Sequence, residues 1–450
     1  MKKIYLLLLC LAMLAFTHNA QASTVTLKTD KAVGETLTLA LNADMNVTLT
    51  WGDGTTIEFY SNGQPRDVEV KAATLTITTD KDITALYVCE DGLTELVVTG
   101  AATSLERLFC SDNSLTQLDL SRCTSLTELD CQDNQLTNLN IVSQKLAYVN
   151  VAGNQLSTTG LKSNGVGNIV SLVCAGNKMS TISYLSSMTN LKTLLCQNNQ
   201  LTSLPTSKCK ELCNLVASSN NLTALNLPPL TNLLKLYIDN NRFETLDFTN
   251  CTLIENISME DNNLKELTWA KKVNGVYENI SIVRLANNAL FFNSLPTIYN
   301  YSSHEYTMNY NILPQRPYHL LDIANINETY SFRDKFITNG WASGVNASLE
   351  MIDAKGETLV ANTDYTYKSG QLTFLKEHQG VTISATSRYY PDITLTTEPF
   401  NVIDPTGIAL VEDGTKEGES IVYDLQGRKV SNLQSQKGIY IVNGKKIVIR

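Results

Sequence analysis

Few groups in this chain can do chemistry, and their spacing limits which kind. Of 10 cysteines and 4 histidines, Cys10 and His18 fall in an apolar leader, which leaves nine thiols and His304, His319 and His378. All nine thiols stand between residues 83 and 290, where the sequence has no histidine, so neither a Cys/His metal site nor a thiol–imidazole nucleophile can be built from that segment alone. No G-x-S-x-G, H-E-x-x-H or phosphate-binding glycine loop occurs, and carboxylate pairs such as Glu260 and Asp261 fall on an expected open face rather than in a cleft. The expectation is therefore a protein with no catalytic residue, no cofactor and no metal. A hydrolase appended to a recognition scaffold is the alternative in the enzyme class.

The thiols mark a repeat. From Ile83, the pattern L-x-x-L-x-(L/C)-x-x-N-x-L recurs with first positions Ile83, Leu105, Leu126, Leu146, Ile169, Leu191, Leu212, Leu233, Ile254 and Ile280. The ninth position reads Asp91, Asn113, Asn134, Asn154, Asn177, Asn199, Asn220, Asn241, Asn262 and Asn288. Cys110, Cys131, Cys174 and Cys196 occupy the sixth position, where other repeats carry Val88, Val151, Ala217, Ile238, Met259 and Leu285. Cys123, Cys209 and Cys251 form a second column, equivalent to Met188 and Leu230. Cysteine in place of a small hydrophobe is expected to be a buried reduced thiol. In an exported protein, a strained bridge between neighbouring turns such as Cys110 and Cys131 stays open as the other reading.

A strand over positions 3 to 7 sends positions 4 and 6 inward, while positions 1 and 11 fill the core on either side of it. The column asparagine sits where the chain leaves that strand, and its amide can donate to and accept from backbone groups of adjacent turns. Its expected role is structural. One turn of about 21 residues cannot offset its own ordering entropy, so stacking on neighbours must supply the stability. The stretches Leu105–Leu120 and Leu126–Ile141 resemble leucine-rich repeats, and most closely the short, cysteine-bearing repeats of internalin J-like bacterial surface proteins. That resemblance implies a mainly β solenoid of about ten repeats, with a parallel sheet on the concave face and short strands or 3₁₀ turns on the convex one.

Function in such a solenoid would lie at the outward strand positions. Positions 3, 5, 7 and 8 carry the acids Glu90, Asp112, Glu128, Asp130, Asp133, Asp239, Glu260 and Asp261 against Arg107, Lys235 and Arg284, and none of these falls in repeats four to seven. A charge-depleted apolar centre with a polar rim suits a protein-binding patch. Tyr148, Val173, Leu195, Val216 and Tyr237 are the expected contact strip. The bland reading is strand propensity alone.

The flanks carry other signals. Lys2 and Lys3, an apolar run from Ile4 to Phe16 and Ala20-Gln21-Ala22 read as a cleaved signal peptide over 1–22, because so short a run falls below the roughly 20 residues a spanning helix needs. Export follows, secreted or to the cell surface, with the periplasm as the other destination, and no transmembrane segment is expected in the mature chain. Formal charge is −9, and removing the leader's two lysines gives 33 − 44 = −11, which argues against nucleic acid as the partner. At roughly 150 residues per domain, 450 residues allow about three domains. We expect a β cap over 23–82, with a hairpin turn at Gly52-Asp53-Gly54. The solenoid follows over 83–313 and an immunoglobulin-like sandwich over 314–403.

Residues 404–450 contain Tyr423-Asp424-Leu425-Gln426-Gly427-Arg428, Gly438-Ile439-Tyr440 and a hairpin signal at Asn443-Gly444. These resemble the C-terminal sorting domain of type IX secretion cargo in Bacteroidota, and the resemblance implies passage across the outer membrane; a folded cap is the alternative. The sequence thus reads as a monomeric secreted or surface binding and adhesion protein whose ligand is an unknown protein or glycan, with a passive envelope scaffold as the runner-up.

Overall fold

The structure is a computed structural model of the 450-residue chain. It describes residues 23–98, 100–159, 166–227, 229–269, 280–296, 299–300, 305–306, 309–332, 335, 347–387, 390–405, 422–424, 438–442 and 445–449. The leader lies outside this set, as do most of the tail motif residues. The described elements are strands and three 3₁₀ turns, and no helix among them is long and apolar enough to cross a membrane. Two units can be distinguished: Met1–Asn288 with Thr307–Pro314, and Ala289–Tyr306 with Gln315–Arg450.

Unit one is built on a long sheet. Strands Ala85–Tyr87, Arg107–Phe109, Glu128–Asp130, Tyr148–Asn150, Ser171–Val173, Thr193–Leu195, Asn214–Val216, Lys235–Tyr237, Asn256–Ser258 and Ile282–Arg284 pair parallel in that order, each third position opposite the next. These are the ten expected repeats. Asn309–Asn311 pairs parallel with Ile282–Arg284 as a further rung, which the sequence pattern did not announce because its column asparagine and flanking leucines are missing. Positions 4 and 6 face inward, as alternation requires: Leu172, Leu194, Leu215 and Leu236 are fully buried, as are Cys174, Cys196, Ala217 and Ile238. The far side carries the short parallel pairs Asp119–Leu120 with Asn140–Ile141 and Thr245–Asp247 with Glu266–Thr268, and 3₁₀ turns at Val166–Asn168 and Leu185–Ser187. This is the mainly β solenoid expected.

Residues 23–82 join the first coil on both faces. Thr36–Leu41 pairs antiparallel with Ala85–Tyr87 and with Arg66–Glu69, so it extends the long sheet. Thr24–Thr29, Met45–Trp51, Thr56–Ser61 and Thr74–Thr79 form a second sheet, completed by Leu93–Val97 from the first coil. The sequence reading missed Arg66–Glu69, which has only one inward apolar residue, Val68. Charged residues there discourage pairing of an open edge with other chains.

In unit two, Ile323–Asn325, Ser348–Ile352, His378–Ser387, Tyr390–Thr396 and Phe400–Ile403 form one sheet, and Thr329–Ser331, Tyr365–Lys368 and Gln371–Phe374 another. Phe374 and Phe400, one from each sheet, pack edge to face with centroids 5.8 Å apart. Val422–Asp424, Gly438–Val442 and Lys445–Ile449 pair as an antiparallel meander, with Val442 opposite Lys445 across the expected Asn443-Gly444 turn. The turn itself lies outside the described residues.

Candidate binding face of the long sheet

The outward rows rest on a repeated hydrogen-bond unit. Asn177 Nδ2 donates to Val151 O at 2.9 Å in the preceding coil and to Cys174 O and Ala175 O, both at 3.2 Å, in its own. Asn177 Oδ1 accepts the Leu156 N–H at 2.9 Å. Asn134, Asn154, Asn199, Asn220, Asn241, Asn262 and Asn288 repeat this arrangement on their own neighbours. Asn113 donates to Val88 O and accepts from the Leu93 and Asp91 N–H groups. Each amide thus satisfies backbone groups that the three-residue strands cannot reach.

The one departure from asparagine has a physical reason. Asp91 belongs to the first coil, whose neighbour on the open side is the antiparallel strand Thr36–Leu41. That strand presents the Thr38 N–H, which donates to Asp91 Oδ1 at 2.9 Å, and Lys31 Nζ reaches the same oxygen at 3.0 Å. Donors approach where other coils supply a carbonyl, and a carboxylate accepts both. Burial pushes the Asp91 carboxyl up, opposed by the Thr38 N–H and Lys31.

The residue before the column was overlooked in the sequence. Glu90, Asp112, Asp133, Asn198, Ser219, Asn240, Asp261 and Asn287 all have φ between 52° and 59°, and Gly153 and Gly176 have φ 62°. The left-handed turn explains why Gly, Asn and Asp recur there; that bias was the available signal.

The cysteine columns are thiols throughout the described residues. Cys110, Cys131, Cys174 and Cys196 have no exposed surface. Burial alone pushes the Cys174 thiol up to about 12. In the second column, Cys209 Sγ donates to Leu185 O at 3.3 Å and Cys251 Sγ to Leu227 O at 3.6 Å, each in the preceding coil. Two thiols fall outside both columns: Cys89, buried beside Ser111, and Cys213, which is partly exposed. Iodoacetamide at about pH 8 should therefore label Cys213 first and the other eight only on unfolding, because the thiolate is the reactive species. Mass spectrometry of native against denatured samples reads this directly, and bridges in most molecules would overturn it.

The expected contact residues occupy two rows. Val173, Leu195, Val216 and Tyr237 are successive partners in one row, which continues from Asn150. Tyr148 stands in the neighbouring row, opposite Ser171 and Glu128. It is half exposed, whereas the four row members are partly buried. The flanking acids are held by side-chain bonds: Asp239 accepts from Ser258 Oγ at 2.6 Å and Ser218 Oγ at 3.1 Å, and Asp261 from Asn287 Nδ2 at 2.8 Å. Asp130 accepts from Asn150 Nδ2 at 3.3 Å. Its carboxyl is pushed up by burial, with Asp112 and Asp133 adding to that.

Comparison with known proteins adds a family assignment for part of the chain. A family described as "Leucine Rich repeats (2 copies)" matches residues 103–144. No match is found among curated protein sequences. The functional domain of InlJ from Listeria monocytogenes, described as including a cysteine ladder, is 18% identical, with 72% of this chain and 92% of that one covered and a TM-score of 0.34. The internalin InlF of Listeria monocytogenes is 20% identical over 47% of this chain and 76% of that one, TM-score 0.32. YopM of Yersinia enterocolitica is 24% identical over 42% of this chain, which spans 43% of its length, TM-score 0.32. The match covers residues 103–144 as leucine-rich repeats, and the parallel strand register continues the same coil from Ala85–Tyr87 to Ile282–Arg284.

Proposed function

We propose that this is an exported, non-enzymatic binding and adhesion protein that takes a protein or glycan partner on the outer face of its long sheet. The observation that carries the reading is the row Val173–Leu195–Val216–Tyr237, apolar side chains in register on four consecutive coils with acids toward both ends of the same face. A rigid parallel sheet fixes such side chains before binding, which reduces the entropy lost on association. Tyr148 adds an exposed aromatic beside the row, and aromatics are enriched at interface centres.

The test uses Leu195→Asp and Val216→Asp. Both side chains lie on the outer face, so the fold should survive while affinity for a partner, identified by screening host proteins, mucins and glycans, falls by about tenfold or more each. Unchanged binding by a folded double variant would discard the strip.

The address is part of the same proposal. The leader motif and the resemblance of residues 404–450 to type IX sorting domains support export across the outer membrane of a Bacteroidota cell. Deleting Lys437–Arg450 should trap the protein in the periplasm. Undiminished surface exposure after the deletion, read by protease shaving of intact cells, would leave the tail as a cap only.

A further inference from the structure

One end of the outer face has a charge pattern that its backbone does not require. The left-handed position is filled by glycine, asparagine or serine in coils four to eight, yet coils one to three place Glu90, Asp112 and Asp133 there, and coil nine places Asp261, to which Asn287 Nδ2 donates. These three are stacked, since the Glu90 N–H donates to Ser111 O and the Asp112 N–H to Gln132 O in the next coil. Neighbouring parallel strands lie about 4.8 Å apart, and like charges at that spacing repel. Glu128 and Asp130 stand on the same face of coil three, with Glu128 opposite Arg107 and Asp130 opposite Phe109.

The acidic row also leads toward the apolar one. After Asp133 the row continues as Gly153 and Gly176, with Ala152 and Ala175 before them, so coils four and five expose little beyond backbone there. Asp133 Oδ1 occupies the space that a Cβ on Gly153 would take, which extends the carboxylate over coil four. From Asp112 in coil two to Val216 in coil seven is five steps, about 24 Å at the parallel-strand spacing.

We infer that the partner is a polypeptide presenting clustered Lys or Arg side chains next to an apolar segment. Its cations meet Glu90, Asp112, Asp130 and Asp133, and its apolar side chains meet Val173, Leu195 and Val216. The inference rests on the sheet-face reading given under the proposed function and names the chemistry of the partner. Charge of one sign beside an apolar patch selects the composition of the bound segment.

The experiment titrates the full chain, by fluorescence anisotropy, with a labelled synthetic peptide that has lysines at one end and leucines at the other. A peptide with glutamates in place of the lysines is the comparison. Only the lysine peptide should bind, and raising NaCl from about 50 to about 500 mM should weaken it by about tenfold. The double variant Asp112→Asn, Asp133→Asn keeps residues that tolerate the left-handed turn. It should lose about tenfold in affinity, with a circular dichroism melt at or above that of the parent chain. The Asp112→Ser, Asp133→Ser variant repeats the test with the residue type of Ser219. Neutralising Glu58 and Asp247, which lie away from this face, should leave binding unchanged. Equal binding of the glutamate peptide, or no effect of either double variant, overturns the inference. Loss with Leu195→Asp but not with the acid variants would retain the sheet-face reading and reject the cationic partner. Saturable binding of Ca²⁺ alone, abolished by the acid variants, would reassign the row to a metal and overturn the inference as well.

Discussion

Asn177→Asp should be among the most damaging single-atom exchanges in the solenoid. The amide nitrogen that donates to Val151 O, Cys174 O and Ala175 O becomes a carboxylate oxygen facing three carbonyl oxygens. Asn177 is 8% exposed, so water cannot replace the lost donors, and an unpaired buried charge costs about 3 to 5 kcal/mol. Asn177→Ala loses the same bonds without burying charge and should cost about 3 kcal/mol at any pH.

The two variants separate by titration. Burial among carbonyls raises the introduced carboxyl's pKa in the folded state above its unfolded value near 4. The native form of Asn177→Asp therefore binds more protons than the unfolded form between those two values, and stability falls as pH rises through them. Urea unfolding at about pH 4.5 and about pH 7.5 should show Asn177→Asp recovering at the lower pH by about 2 kcal/mol relative to Asn177→Ala. A pH-independent difference would mean that the amide is not surrounded by carbonyls.

Leu215→Ala should cost about 3 to 4 kcal/mol and change the shape of the unfolding curve. Leu215 has no exposed surface and stands between Leu194 and Leu236 in adjacent coils. Truncation leaves a cavity that neither neighbour can fill, because each is fixed by its own strand pairing. Stability in a stacked array is a sum of coil and interface terms, so weakening the seventh coil uncouples the coils on either side. Two transitions in urea, followed by tyrosine fluorescence and by hydrogen exchange of the early against the late coils, are expected in place of one. A single shifted transition would place the cooperativity elsewhere.

How much was legible in the sequence differs between parts of the chain for physical reasons. In the coils, a local rule operates: each residue's environment is set by its position in a period of about 21, so inward Leu172 and column Asn177 could be assigned from spacing alone. The final rung at Asn309–Asn311 escaped because backbone pairing, unlike side-chain packing, makes no demand on residue type. The joining of residues 23–82 to the first coil through Thr36–Leu41 was unreadable, since antiparallel partners far apart in sequence share no spacing. Asp91 looked like a conservative slip; only the Thr38 N–H beside it shows why an acceptor is wanted. On the outer face, the spacing already put Tyr148 at the third position and Val173, Leu195 and Val216 at the fifth, but it could not give the half exposure of Tyr148 against the partial burial of the other three, which depends on what packs around each side chain.

The identical registration of every step along the sheet makes the coils interchangeable units. Removing residues 191–211 would bring Leu212 to the place of Leu191, with leucine following leucine inside and asparagine following asparagine at the bend. Gene duplication or loss of one such segment would lengthen or shorten the outer face of the sheet by one strand width while leaving both ends of the array intact. A lineage carrying this scaffold can thus adjust its length by recombination, and the outward residues by ordinary point mutation.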